Sequence, residues 1–368
     1  MKYILTTVSL VVLTCISVSQ SDPESDLKPW PITERCLLLE TELSSDFAFE
    51  GTLLTRNRKR LIGYAYDGEQ VRSSVIQSGL SGSGRLSPNS MWYLFFVGKS
   101  WEEGLVSMVV TREIRVYSTM DNEVYSIPWD DTYSIMRRRY GHRLYWIDNS
   151  HLLYSKTING ETWFIIDPFS GDVQQALLHY NPTAFAFELS PDAQKGLSAH
   201  WPDPFWTIES ATGNVQVPIR LQYQVLWHPS SEYFVTTTWP ENPTEPGRLL
   251  IIDLHGDVVH YLYQSTRLPS TVFTVANAIW SDDGRYLTFV DQHLYIADME
   301  TQQVFDTCIT PISNFSYAWS PDSTQIALFR MAEGDTAVHI LDMKTYRVYR
   351  VVDNVVSLIG WRANEVEH

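Results

Sequence analysis

The residues with the clearest chemical potential lie in four loop-like stretches between apolar runs typical of strands, at 99–104, 200–206, 238–247 and 331–335. These stretches combine tryptophan with carboxylates, namely Trp101, Glu102, Trp201, Asp203, Trp206, Trp239, Glu241, Glu245 and Glu333. Tryptophan rings stack on sugars or on cationic side chains, and carboxylates accept hydroxyl hydrogens or pair with cations. If the strands are arranged as described below, all four stretches share one face. The sequence therefore predicts a ligand-binding face for a protein or peptide partner, with a glycan as the alternative.

A purely structural interpretation of these loops stays open. Tryptophan rings pack on proline rings in proline-rich loops, and acidic side chains aid solubility. The enzymatic alternative is a glycosidase or lyase, which would need two opposed carboxylates, or a carboxylate facing a histidine or tyrosine. In a glycosidase the two carboxylates lie about 5–9.5 Å apart.

Other catalytic and metal motifs are absent from the sequence. The stretch GLSGSG at 79–84 lacks the Gly-x-Ser-x-Gly spacing of a nucleophile elbow. The 10 histidines are scattered, and no spacing typical of zinc or calcium ligands occurs. We therefore predict no catalytic residues, no metal and no cofactor, and we expect a binding module rather than an enzyme.

The elements that carry these loops repeat along the chain. The stretches 277–304 and 315–348 each contain a strand ending in Trp-Ser, an aspartate-containing turn, a second strand, and a third strand ending in aspartate. Equivalent third-strand endings recur seven times at intervals of 42 to 51 residues, at Asp67, Ser118, Asp167, Glu209, Asp253, Asp298 and Asp342. A fixed period of this kind is typical of β-propellers.

The repeats predict an all-β fold, a seven-bladed β-propeller of four-stranded antiparallel blades. The first repeat lacks a first strand, whereas the C-terminal run 355–361 is a first strand with no second strand after it. We predict that the C-terminal strand completes the N-terminal blade and closes the ring, which removes exposed strand edges. Residues 45–368 would form this domain, and residues 20–44 a lead-in segment whose prolines argue against a helix.

Two stretches carry a family resemblance, WSPDSTQIALFR…VHILDMKTYRV from Trp319 and WSDDGRYLTFV…LYIADMETQQV from Trp280. They resemble the WD-repeat-like blades of the TolB-like propeller superfamily, and the resemblance extends over roughly residues 45–365. It implies the fold. It does not choose a function, because that superfamily includes scaffolds, receptors and propellers attached to peptidases.

Residues 1–19 have the layout of a secretory signal peptide, with Lys2 followed by an apolar run and then small residues up to Ser19. The run is too short for a membrane span, and no later segment resembles one. Cys15 lacks the small residues that precede a lipidated cysteine. We expect a secreted protein, periplasmic or extracellular, with no lipid anchor and no transmembrane segment.

The remaining composition bears on partners and on cysteine chemistry. The formal net charge of −16 repels phosphate backbones, which argues against nucleic acid as a partner. Removal of the signal peptide leaves Cys36 and Cys308. In an oxidising compartment these two can form a disulfide, and two separately buried thiols are the alternative.

Overall fold

The computed structural model describes residues 27–40, 47–57, 59–78, 84–103, 106–120, 123–131, 144–157, 161–175, 184–192, 194–200, 205–210, 212–238, 245–265, 278–311 and 315–364. These residues form strands and turns without a helix, which confirms the all-β prediction. It follows that no helix in this part of the chain has the length and apolar character needed to cross a bilayer.

The strands form six sheets, which we number 1 to 6. Sheets 1 to 3 each have four antiparallel strands. Sheet 1 contains β3 (Thr52–Asn57), β4 (Arg60–Tyr66), β5 (Val71–Ser78) and the C-terminal strand β29 (Ser357–Arg362). Sheet 2 contains β6 (Gly84–Leu86), β7 (Trp92–Glu103), β8 (Val106–Ser118) and β9 (Val124–Asp131). Sheet 3 contains β10 (Leu144–Trp146), β11 (Leu152–Thr157), β12 (Glu161–Ile166) and β13 (Val173–Gln175).

Sheet 4 has seven strands, and sheets 5 and 6 have five each. Sheet 4 runs through β14 (Ala184–Leu189), β15 (Lys195–His200), β16 (Phe205–Ser210), β17 (Gly213–Trp227), β18 (Tyr233–Thr238), β19 (Arg248–Asp253) and β20 (Val258–Gln264). Sheet 5 contains β21 (Ile279–Trp280), β22 (Tyr286–Val290), β23 (Leu294–Asp298), β24 (Gln303–Asp306) and the N-terminal β1 (Ile32–Glu34). Sheet 6 contains β25 (Ser316–Trp319), β26 (Gln325–Phe329), β27 (Val338–Asp342), β28 (Arg347–Val352) and β2 (Leu38–Glu40).

Each third-strand ending in the sequence lies at the end of a strand or directly after it. Asp67 and Asp167 follow β4 and β12, and the other five endings lie in β8, β16, β19, β23 and β27. The side chain of Asp342, for example, accepts hydrogen bonds from the backbone N–H groups of Lys344 and Thr345 at 2.8 and 2.9 Å. The five aspartates among these endings therefore shape the turn to the fourth strand, as expected for aspartate at turns.

The C-terminal strand pairs with the first strand of sheet 1. β29 is antiparallel to β3, with Trp361 opposite Leu53 and Arg362 opposite Thr52. The predicted completion of the N-terminal sheet by the C-terminal strand is confirmed at the level of this pairing.

The N-terminal segment does more than lead into the fold. β1 adds in parallel to β24, and β2 adds in parallel to β28. Between these strands the Arg35 guanidinium lies over the rings of Phe305 and Tyr346, at 4.3 and 4.4 Å, and Cys36 forms a disulfide with Cys308. The segment therefore covers the outer edges of sheets 5 and 6. We call residues 27–40 the N-terminal belt.

Neighbouring sheets pack face to face through apolar clusters. Strands β23 and β26 are buried at every position because their sheets are covered on both faces. Leu54 packs with Tyr93 between sheets 1 and 2, and Leu94 packs with Leu152 between sheets 2 and 3. Leu249 and Phe289 belong to the cluster between sheets 4 and 5, and Ile296 and Ile326 to the one between sheets 5 and 6. Ile340 and Leu53 belong to the cluster between sheets 6 and 1. The connection between sheets 3 and 4, residues 176–183, lies outside the described residues.

A repeated turn connects the first strand of a unit to the second. In the turn after β21, the Ser281 hydroxyl donates to Asp283 at 2.6 Å, and Asp283 accepts from the backbone N–H of Arg285 at 3.0 Å. The residue at its fourth position, Gly284, has a left-handed φ of 74°. Its carbonyl oxygen accepts a hydrogen bond at 3.0 Å from Nε2 of His228, which lies in the equivalent turn of sheet 4. The turn therefore joins two sheets as well as two strands.

We expect Gly284→Ala to destabilise the protein more than Gly171→Ala. Both glycines have a left-handed φ, a conformation that costs other residues roughly 1–2 kcal/mol. An added Cβ at Gly284 would lie 2.3 Å from His228 Nε2, whereas nothing lies within 4 Å of one at Gly171. Overpacking adds about 1–3 kcal/mol at Gly284 alone. Denaturant unfolding of both variants measures the difference, and equal losses would contradict the contact.

Candidate functional site

Trp206, predicted at the binding face, is instead a core residue. Its side chain has no exposed surface, and its Nε1 donates to the carbonyl oxygen of Gln222 at 3.0 Å. The prediction was wrong because β16 begins at Phe205, earlier than the nearby prolines indicated, so Trp206 and Ile208 alternate into the core.

Trp101 and Glu102 lie in strands rather than in a loop. β7 and β8 continue their pairing to Glu103 and Val106, with Trp101 opposite Met108 and Glu102 opposite Ser107. The loop prediction is corrected for residues 99–103, because the β-branched run after residue 105 extends the hairpin.

Two of the remaining candidate residues are described and four are not. Glu245 is exposed in the bend before β19, and Glu333 is exposed in the turn between β26 and β27. Both therefore lie at the end of the units opposite the repeated turns, as predicted for loops between second and third strands. Four candidates lie outside the described residues, namely Trp201, Asp203, Trp239 and Glu241.

Glu333 lies at a cleft of about 550 Å³ between sheets 5 and 6. One side of the cleft comes from the chain after β24, and the other from the turn after β26 together with side chains of β27 and β28. The lining residues are Cys308, Ile309, Thr310, Met331, Ala332, Glu333, Gly334, Asp335, His339 and Arg350. Residues 331–335 are one of the four stretches predicted at the binding face, and Cys308 was predicted only as a disulfide partner. Ile309, Thr310, His339 and Arg350 were not predicted, because no motif marks them.

A charged network holds one side of this cleft. Asp335 accepts the backbone N–H of Ala337 at 3.0 Å, and Arg350 lies 3.4 Å from the same carboxylate. Arg350 also donates from Nε to Asp353 at 2.7 Å. Its positive charge is therefore balanced by two carboxylates before any ligand is considered.

His339 lies beneath this network with only 2% of its surface exposed. Its Nε2 is 3.7 Å from Asp335, which is beyond hydrogen-bond distance, and its Nδ1 has no hydrogen-bond partner among the described residues. Burial lowers the pKa of His339 below its ordinary value, and the charge of Arg350 adds to this effect while Asp335 opposes it. The imidazole is therefore neutral at neutral pH.

The disulfide forms part of the cleft wall. Cys308 has a left-handed φ of 57°, and its backbone N–H donates to Asp306 at 2.8 Å. Asp306 in turn is paired with His293 Nδ1 at 2.9 Å. The wall is thus fixed to the N-terminal belt by a covalent bond and to sheet 5 by hydrogen bonds.

A second buried carboxylate, Asp291, binds two hydroxyl groups through its Oδ2 atom. Asp291, only 4% exposed, accepts hydrogen bonds from the hydroxyl groups of Tyr263 and Ser265 at 3.0 and 2.9 Å. Burial, together with the neighbouring Tyr295 and Asp291, raises the pKa of Tyr263, so the Tyr263 hydroxyl stays protonated and donates to Asp291. We interpret Asp291 as a structural residue joining sheets 4 and 5. In the described part of the chain, no group of three or more histidine, cysteine or carboxylate side chains could hold a metal ion.

Comparison with known proteins gives structural similarity only. No protein-family model matches the chain, and no curated protein matches it in sequence. Solved structures that are similar include TolB from Acinetobacter baumannii, at 12% identity over 85% of this chain and 82% of that one, with a TM-score of 0.43. A functionally unknown protein from Desulfotomaculum acetoxidans matches at 8% identity over 85% and 98%, with a TM-score of 0.48. A eukaryotic initiation factor matches at 12% identity over 90% and 94%, with a TM-score of 0.43. These values assign neither a family nor a function.

We expect Trp206→Ala to lower the free energy of unfolding by about 3–5 kcal/mol, the usual cost of truncating a buried tryptophan. Trp206→Phe keeps most of the ring but leaves the Gln222 carbonyl without its donor, so about 1–2 kcal/mol is expected. Denaturant unfolding measures both. A near-neutral alanine variant would return Trp206 to the candidate binding residues.

His339 makes stability depend on pH. In the unfolded chain histidine takes up a proton near pH 6.5, whereas the folded protein resists protonation until a lower pH. The contribution of His339 is therefore fully present above about pH 6.5 and is lost as the pH falls below that value. We expect the free energy of unfolding to decrease less between about pH 7.5 and pH 5 in His339→Gln than in the wild type. Identical pH profiles would rule this out.

Proposed function

We propose that the chain is a secreted, seven-bladed β-propeller that acts as a non-catalytic binding module for a protein or peptide partner. The fold proposal is supported by seven third strands with the expected spacing and by the packing of sheets 4, 5, 6, 1, 2 and 3 in succession. In this arrangement β17 serves twice: its N-terminal part pairs with β16 as an outer strand, and its C-terminal part pairs with β18 as a first strand.

The observation that carries the binding proposal is the cleft between sheets 5 and 6. It is lined by residues from three segments of the chain, and its walls are held by a disulfide and an ion-pair network. A preformed concave site of this kind loses little conformational entropy when a ligand binds. Exposed Glu333 lines the cleft, and exposed Glu245 lies in the equivalent loop of sheet 4.

Secretion is proposed from the sequence layout of residues 1–19. The disulfide between Cys36 and Cys308 supports the proposal, because such bonds persist mainly in oxidising compartments.

The binding face can be tested by site-specific photocrosslinking in the producing cells. A benzophenone amino acid replaces Glu333, before β27, or Lys344, an exposed residue after the same strand and at the opposite end of sheet 6. We expect a discrete protein adduct from position 333 and none from position 344. A protease-resistant adduct at 333 would favour the glycan alternative. Equal labelling at both positions, or none, would contradict a partner at this face.

A further inference from the structure

The cleft between sheets 5 and 6 combines apolar walls with carboxylates. Ile309, Met331 and Ala332 supply apolar surface, and Glu333 and Asp335 lie within the three residues after Ala332. A ligand group that suits both parts has an aliphatic stem and a polar end, as the side chains of lysine and arginine do.

The charges of the cleft indicate the sign of that polar end. Arg350 is already paired with Asp335 and Asp353. Glu333 is exposed and makes no ion pair or hydrogen bond with another described residue. An excess of negative charge therefore remains at the cleft, and a cation would balance it.

One deeply buried side chain that lines the cleft retains unused hydrogen-bonding capacity. His339 is 98% buried, being 2% exposed, and its Nδ1 has no partner among the described residues. The Oδ2 atom of Asp335, whose side chain is 10% exposed, faces His339 Nε2 at 3.7 Å, which is too long for a hydrogen bond. Buried polar groups normally have partners, so the unpartnered nitrogen of His339 points to a polar group supplied from outside the chain.

From these features we infer that the cleft binds a lysine or arginine side chain of the partner. The stem packs along Ile309 and Met331, and the charged end pairs with Glu333, beside Asp335 and His339. This inference rests on the proposed function, and it adds the chemical class of the residue that the partner presents.

The test uses the full secreted chain with carbon-13 in the methionine methyl groups, and reads out the Met331 methyl signal by NMR. The Met331→Leu variant assigns that signal, and Met299, which packs against a different cluster, serves as the internal reference. The probes are short acetylated glycine peptides with one central lysine, arginine, norleucine, citrulline or glutamate. Norleucine keeps the lysine stem without the charge, and citrulline does the same for arginine.

We expect the lysine and arginine peptides to shift the Met331 signal in a saturable manner, with weaker binding at high salt. Norleucine and citrulline should bind more weakly, and the glutamate peptide should have no effect. Glu333→Gln should weaken lysine-peptide binding about 2- to 5-fold, since one partly solvated ion pair is lost. The control Glu69→Gln, in an exposed turn of sheet 1, should leave binding unchanged. Asp335 is kept, because it also holds the turn through Ala337.

Equal binding of lysine and norleucine peptides, no response of Met331, or no effect of Glu333→Gln would overturn the inference. If the photocrosslinker at position 333 still captured a protein in that case, the proposed binding face would be retained and only the proposed lysine or arginine ligand would be rejected. If crosslinking failed as well, both proposals would fall.

Discussion

The antiparallel pairing of β29 with β3 is the contact on which the remaining structure depends, because it makes one sheet from the two ends of the chain. Arg362, 8% exposed, donates to the carbonyl oxygen of Thr119 at 2.7 Å and to the hydroxyl of Thr52 at 2.9 Å. The Arg362 side chain thus connects β29 to β3 and to the residue that follows β8 of sheet 2. Gly51 passes so close that an added Cβ would lie 2.2 Å from the Arg362 carbonyl oxygen. Without this pairing, β3 and β25 would each lose a neighbouring strand. The apolar side chains of sheet 6 that pack against Leu358 and Trp361 of β29 would lose that contact.

The candidate site depends on the same succession of packed sheets. Its lining residues are far apart in sequence, and they meet because sheets 5 and 6 pack through Ile296 and Ile326. At the opposite end of these sheets, the backbone N–H of Asp283 donates to the Ser323 hydroxyl at 3.3 Å, which sets the turns of the two sheets against each other. The sheets are therefore fixed at one end by repeated turns and at the other by the disulfide, with the cleft beside the latter.

Local patterns predicted much of the fold. The Ser-x-Asp turns and the strand-terminal aspartates are encoded by residues within a few positions of each other, so the sequence displays them directly. The pairing of the C-terminal strand followed from counting strands in the repeats. The strands of the N-terminal belt were not predicted, since each has only three residues and its partner lies more than 260 positions away. The cleft was predicted only in part: the stretch 331–335 was expected at the binding face, whereas His339 lies within a strand and nothing adjacent in sequence shows that it lines a cavity. The prediction for Trp206 was wrong for a different reason: nearby prolines indicated a loop, whereas burial in the core determines the conformation there.

The belt and its disulfide also constrain the order in which the molecule can mature. Cys36 precedes Cys308 by 272 residues, so a ribosome has made most of the polypeptide before the cysteine partner exists. Each of the first three strands has a partner from the last third of the chain, and only β3 also pairs with a strand close in sequence, β4. Non-local pairing of this kind slows folding and leaves strand edges open to aggregation. Neither the belt nor the pairing of β29 with β3 can therefore form until synthesis is almost complete.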